Sequence, residues 1–245
     1  MSGHSKWNNI KRKKGANDAA RAKIFTKIGR EMSVIVKAGG PDPNVNTKLR
    51  DCIQKAKSLN VPNDNIERII KKASGEGDTS NYENCIYEGY GPEGIAVIVE
   101  CLTDNRNRTA GEMRHYFDKY GGNLGTPGSV MFMFSRRGLV AIEAEGKDED
   151  EVMEAALEAG ADDFNAEDEV YEVICDPNSV GQISEELSGK GYTVISAEPE
   201  YYPATFSSIT SDENMKKMQK LLEMLEDNDD VQNVWHNLDN LPEEE

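Results

Sequence analysis

Apolar residues change their spacing about one third of the way along this chain, and that change limits the fold more than any other feature. Before residue 75 they recur every three to four positions. After residue 94 they come in short strand-like runs separated by helical stretches. From Asp18, Ala19, Ala20 and Ala22 favour a helix that Asn17 or Asp18 can cap. Ile24, Phe25, Ile28, Met32, Ile35 and Val36 fall on one arc of it, opposite Lys23, Lys27, Arg30 and Lys37. Gly39-Gly40-Pro41 stops that helix. A second helix is predicted over 45–59, with Leu49, Cys52, Ile53 and Ala56 inward. A third opens at 62–67, where Asp64 and Glu67 have capping-box spacing, and Ser74-Gly75 ends it.

Beyond the helices, strands are predicted over 94–102, 130–134, 139–143, 170–175, 192–197, 201–209 and 231–237. Helices are predicted over 109–120, 149–159, 178–188 and 212–226. The order over 138–200 is that of a ferredoxin-like unit. The strand and helix before it can combine with the strand and helix after it. The expected class is α+β: a helical domain over 1–78, a discontinuous α+β domain over 79–137 plus 201–245, and an inserted ferredoxin-like domain over 138–200.

Charge is divided along the same lines. Residues 1–75 hold 17 Lys and Arg against 6 Asp and Glu, a net +11, while the remainder carries −28. A basic module on an acidic body suggests a polyanionic partner for the module. The nucleic-acid-binding candidates are His4, Lys6, Trp7, Lys11, Arg12, Lys13, Lys14, Arg21, Lys23, Lys27 and Arg30. Cations near phosphates displace counterions, and an indole can stack on an unpaired base. Trp7 equally suits a core anchor. Arg106 and Arg108, in Asp104-Asn105-Arg106-Asn107-Arg108-Thr109, suit either a phosphate or partner loop or a capped helix start.

Other chemistry finds little support. Cys52, Cys85, Cys101 and Cys175 form no C-x-x-C pair and have no histidine at ligand spacing, so buried thiols in a reducing cytosol are expected, without metal or cofactor. His4, His115 and His236 are scattered, and the glycines of 121–128 fit tight turning better than a phosphate loop. No apolar run reaches the roughly 20 residues of a membrane span, and the N-terminus lacks the features of a secretory signal. A cytoplasmic, non-enzymatic protein is expected.

Gly3-His4-Ser5-Lys6-Trp7, Lys23-Ile24-Phe25-Thr26-Lys27 and Gly39-Gly40-Pro41-Asp42-Pro43 closely resemble stretches of the YebC/PmpR family. So do Pro62-Asn63-Asp64-Asn65-Ile66-Glu67-Arg68, Tyr87-Glu88-Gly89-Tyr90-Gly91-Pro92, 102–109, Gly121-Gly122-Asn123-Leu124-Gly125 and Asp230-Val231-Gln232-Asn233-Val234. They occur in family order over essentially the whole chain. Ala204 after Pro203 departs from the basic residue often found there, and Trp235 stands where a tyrosine is frequent. The resemblance implies a helical domain followed by two α+β domains. It also implies a DNA-binding transcriptional regulator. Relatives that act in translation, including a mitochondrial activator and members acting at stalled ribosomes, imply the alternative: a factor on ribosomal RNA whose acidic domains meet ribosomal proteins.

Overall fold

A computed structural model describes residues 18–75, 81–166 and 169–242, with side chains from Arg21. Its first elements are α1 (Asp18–Gly39), α2 (Thr47–Ser58) and α3 (Asn63–Ala73). Ile28, Met32, Val36, Leu49, Cys52, Ala56, Val61, Ile66 and Ala73 form their shared core, with Ile24, Phe25, Ile35 and Ile53 at its margin. The connection after α1 is tied by buried Asn46. Its Oδ1 accepts from Leu49 N–H at 3.1 Å, and its Nδ2 donates to the Ile35 and Gly40 carbonyls at 3.2 and 2.9 Å. That cap starts α2 two residues later than expected and leaves Val45 exposed. The expected capping box at Asp64 is absent. Pro62 is itself the N-cap, so Asp64 lies inside the first turn, where its charge still suits the helix dipole.

Next come β1 (Glu83–Tyr90), β2 (Ala96–Thr103), α4 (Arg106–Lys119), β3 (Asn123–Leu124), β4 (Phe134–Glu143) and α5 (Glu149–Glu158). They are followed by β5 (Asp163–Ala166), β6 (Val170–Cys175), α6 (Val180–Gly189), β7 (Val194–Pro203), α7 (Asp212–Asp227) and β8 (Val231–His236). The class is α+β, as expected. Two four-stranded antiparallel sheets have the orders β3-β1-β2-β8 and β5-β6-β4-β7. The chain divides into two compact units. Met133–Phe206 forms one, and the described residues up to Phe132 join Ser207–Asn240 in the other.

In the larger unit the first sheet carries α4 and α7 on one face. β1 was absent from the expected strands because it offers no apolar run: Cys85, Tyr87 and Gly89 point to α4. Gly89 is required there, since a Cβ would sit 2.7 Å from Phe117 Cε1. The strand expected over 130–134 is instead a buried Val130 and a 3-10 turn, Met131–Met133, and β4 then runs unbroken to Glu143.

In the smaller unit β4-α5-β5-β6-α6-β7 makes a ferredoxin-like sheet. Its core joins Val140, Ile142, Tyr171 and Val173 to Val152, Ala156, Ile183 and Leu187 of the two helices. One strand, β7, replaces the two expected over 192–197 and 201–209. Pro199 and Pro203 lack N–H donors, which is tolerated because β7 is an edge strand.

Candidate nucleic-acid interface

His4, Lys6, Trp7, Lys11, Arg12, Lys13 and Lys14 lie outside the described residues. Arg21, at the start of α1, is exposed. The next three candidates are already engaged within the larger unit. Lys23 Nζ is 2.5 Å from Asp227 Oδ1, and Lys27 Nζ donates to the Glu226 carbonyl at 2.6 Å. Arg30 donates to the Asp229 carbonyl at 2.8 Å and to Asp230 Oδ1 at 2.6 Å. Its guanidinium also lies over the Tyr82 ring, 5.4 Å from the centroid. The reason is electrostatic. The last carbonyls of α7 lack helical partners and carry the negative end of its dipole, and Asp227, Asp229 and Asp230 add full charges. The spacing of 23, 27 and 30 puts three cations on one side of α1, where they dock it against the α7–β8 connection.

Asp230 is the centre of that docking. Its side chain is 4% exposed. Besides Arg30, Oδ2 accepts from Arg108 at 2.7 Å and from the Thr109 and Thr103 hydroxyls at 2.8 and 3.0 Å. Burial pushes its carboxyl pKa up. The hydrogen bonds from Arg108, Thr109, Arg30 and Thr103 outweigh burial and hold it below the usual value. Helical domain, β2, α4 and the start of β8 therefore share one buried anion.

That network also locates the candidate loop at 104–109. Asn105 caps α4 by accepting from Arg108 N–H at 3.1 Å. Arg108 bridges Asp230 and Asp104, the latter at 3.0 Å, and the hydrogen bond to Asp230 raises its pKa further. Arg106 is the freer of the two: its side chain is largely exposed and 3.6 Å from Glu83.

The 121–128 turn holds no phosphate cradle. Gly122 and Gly125 N–H donate to the Phe117 and Glu88 carbonyls at 2.9 and 2.7 Å, and the buried Glu88 carboxylate accepts from Gly128 at the end of the turn and from Val130 and Met131 just beyond it at 2.6, 2.9 and 2.8 Å. Burial raises the Glu88 pKa, but those three donors lower it on balance. The four cysteines are buried and form no disulfide. Burial pushes Cys85 and Cys101 up, and Cys175 up to about 11. Among the described residues no cluster of His, Cys, Asp and Glu could hold a metal ion. No helix of the described residues is long and apolar enough to cross a membrane.

Five further cations were not singled out from the sequence. Arg50 and Lys57 on α2, seven residues apart, share a side of that helix away from buried Leu49, Cys52 and Ala56. Arg68, Lys71 and Lys72 occupy the solvent side of α3, opposite Ile66 and Ala73. All five are exposed. Lys57, Lys71 and Lys72 have no carboxylate partner among the described residues. Their signal lies in the amphipathic pattern of α2 and α3, whose polar sides carry them.

Comparison with known proteins agrees with this architecture. Residues 5–76 match the family described as "TACO1/YebC protein N-terminal domain", and residues 82–238 match "TACO1/YebC second and third domain". A "Probable transcriptional regulatory protein" of Finegoldia magna is 55% identical over 240 residues, 98% of this chain and 100% of that protein. One of Acetivibrio thermocellus is 57% identical over 238 residues, 97% of this chain and 98% of that protein. A crystal structure of a conserved hypothetical protein from Aquifex aeolicus is 42% identical, covers 91% of both chains and superposes with a TM-score of 0.83.

Proposed function

The chain belongs to the TACO1/YebC family, two relatives above carry the name "Probable transcriptional regulatory protein", and from that premise we propose that it is a non-enzymatic regulator of gene expression that binds nucleic acid through its helical domain. The observation that carries this reading is the pair of exposed cationic helices, Arg50 and Lys57 on α2 with Arg68, Lys71 and Lys72 on α3. In the sequence they share the basic first 75 residues with Lys11, Arg12, Lys13, Lys14 and Arg21. Phosphate neutralisation by such a surface needs no base readout to give affinity. Duplex DNA is the first target, in keeping with the names of the relatives. Lys23, Lys27 and Arg30 then act mainly by fixing the orientation of α1. The −28 outside residues 1–75 favours a second target, structured RNA within a ribonucleoprotein such as the ribosome. Such a body is repelled along naked DNA but attracted by basic proteins.

The test is a salt titration of binding to a promoter-length duplex and to purified ribosomes. Changing Arg50, Lys57, Arg68, Lys71 and Lys72 together to Ala should weaken binding and flatten the slope of log K against log salt by up to about 4. An unchanged affinity and slope on both targets would overturn the proposal. Tight ribosome association beside weak, sequence-insensitive duplex binding would select RNA.

A further inference from the structure

The two helices of the smaller unit cover the same side of its sheet, yet they meet solvent differently. Every exposed position of α6 is polar or glycine. On α5, Met153 is 36% exposed and Leu157 52%. Val152, Ala155 and Ala156 bury the inner side of α5, and Leu157 lies nearly opposite them around the helix. Met153 and Leu157, one turn apart, make an apolar ridge on the solvent side. A second ridge runs beside it: Asp150, Glu154 and Glu158, again at spacings of four. Like charges at that spacing repel. Asp150, in the first turn, suits the helix dipole, but Glu154 and Glu158 lie beyond that turn and gain nothing from it. The second ridge is therefore kept at a cost to α5. Lys190 offsets one member, with Nζ 2.9 Å from Glu158 Oε2. Asp150 and Glu154 have no cationic partner among the described residues.

We infer that this face of α5 docks a cationic amphipathic helix of a partner protein. The two ridges define what that helix carries. Aliphatic side chains one turn apart cover Met153 and Leu157, and Lys or Arg on the adjoining positions meet Asp150 and Glu154. Charge excludes polyphosphates and anionic lipid surfaces, because residues 145–169 hold 12 Asp and Glu against a single Lys. Ten helical residues span about 15 Å, so the contact is small and belongs with transient associations. The inference goes beyond nucleic-acid binding and stands without it, since the cations of α2 and α3 take no part.

Two dye-labelled helical peptides test this on the full chain without nucleic acid, read by fluorescence anisotropy. One carries two Leu four residues apart with Lys on the neighbouring positions, and the other has both Leu changed to Ser. Met153→Ser with Leu157→Ser should weaken the Leu peptide about tenfold and leave the Ser peptide unchanged, the non-additivity of a direct contact. If that pair unfolds the unit, Leu157→Gln alone carries the same comparison. Asp150→Asn with Glu154→Gln should weaken both peptides and flatten their salt dependence. Glu213→Gln with Glu223→Gln, exposed acids of α7, should do so far less. The alanine variant of α2 and α3 should bind the peptides no more weakly than wild type, which separates this contact from the nucleic-acid surface. Equal loss for both peptides on changing Met153 and Leu157, no loss for either, or equal sensitivity to the α7 acids, the mark of attraction to net charge alone, would each overturn the inference.

Discussion

Removing the Asp230 carboxylate is expected to loosen the helical domain from the sheet it docks on. In Asp230→Ala, Arg30 and Arg108 lose their shared anion, and the Thr103 and Thr109 hydroxyls lose an acceptor. Breaking a buried ion pair from one side costs about 3–5 kcal/mol. The Arg30 and Arg108 side chains are 19% and 43% exposed, so both can partly rehydrate, which favours the lower end, about 3 kcal/mol. For a unit of this size that lowers the melting temperature by about 6–12 °C. Urea unfolding in a Trp7→Phe background reads the change through Trp235, five residues along the chain from Asp230 on β8. Its pH dependence follows from the lowered pKa. The carboxylate's contribution is present above the unfolded value of 3.8 and is lost as pH falls through the lower folded value. The stability gap between wild type and Asp230→Asn should thus be flat near neutrality and shrink only below about pH 4. A loss under about 1 kcal/mol, or a gap already closing at pH 6, would refute the view of Asp230 as the centre of the docking.

Two further outcomes are expected. His236 is buried, that burial lowers its pKa to about 4, and Leu238 N–H donates to its Nδ1 at 3.2 Å. Because the unfolded chain takes up this proton first, the group should withdraw about 3 kcal/mol of stability as pH falls from 6.5 to 4. NMR titration of the imidazole checks this, and a midpoint near 6.5 would contradict it. Glu88→Gln removes the charge that binds three backbone donors and should cost about 2 kcal/mol. Amide exchange should accelerate at Gly128, Val130 and Met131, and unchanged protection there would show that the turn holds itself.

Local signals in the sequence determined much of this protein. The helical repeat of Ile28, Met32 and Val36 and the stop at Gly39-Gly40-Pro41 defined α1. Met218, Leu222 and Leu225 defined α7, and the apolar run at 96–102 defined β2. The family motifs gave membership and architecture because each is a contiguous word. What failed locally had non-local causes. β1 is a strand because its neighbours pair with it, and β7 survives two prolines because it lies at an edge. The fates of the cations were decided only by the tertiary structure. Lys23, Lys27 and Arg30 look on a helical wheel like an open stripe, yet the Asp227 carboxylate, the Glu226 carbonyl and the Asp230 carboxylate some 200 residues away take them up. Helical periodicity tells which residues share a side. Which charge fills the space beside them is set by chain closure, and a Coulomb partner so distant in sequence leaves no mark on the local pattern.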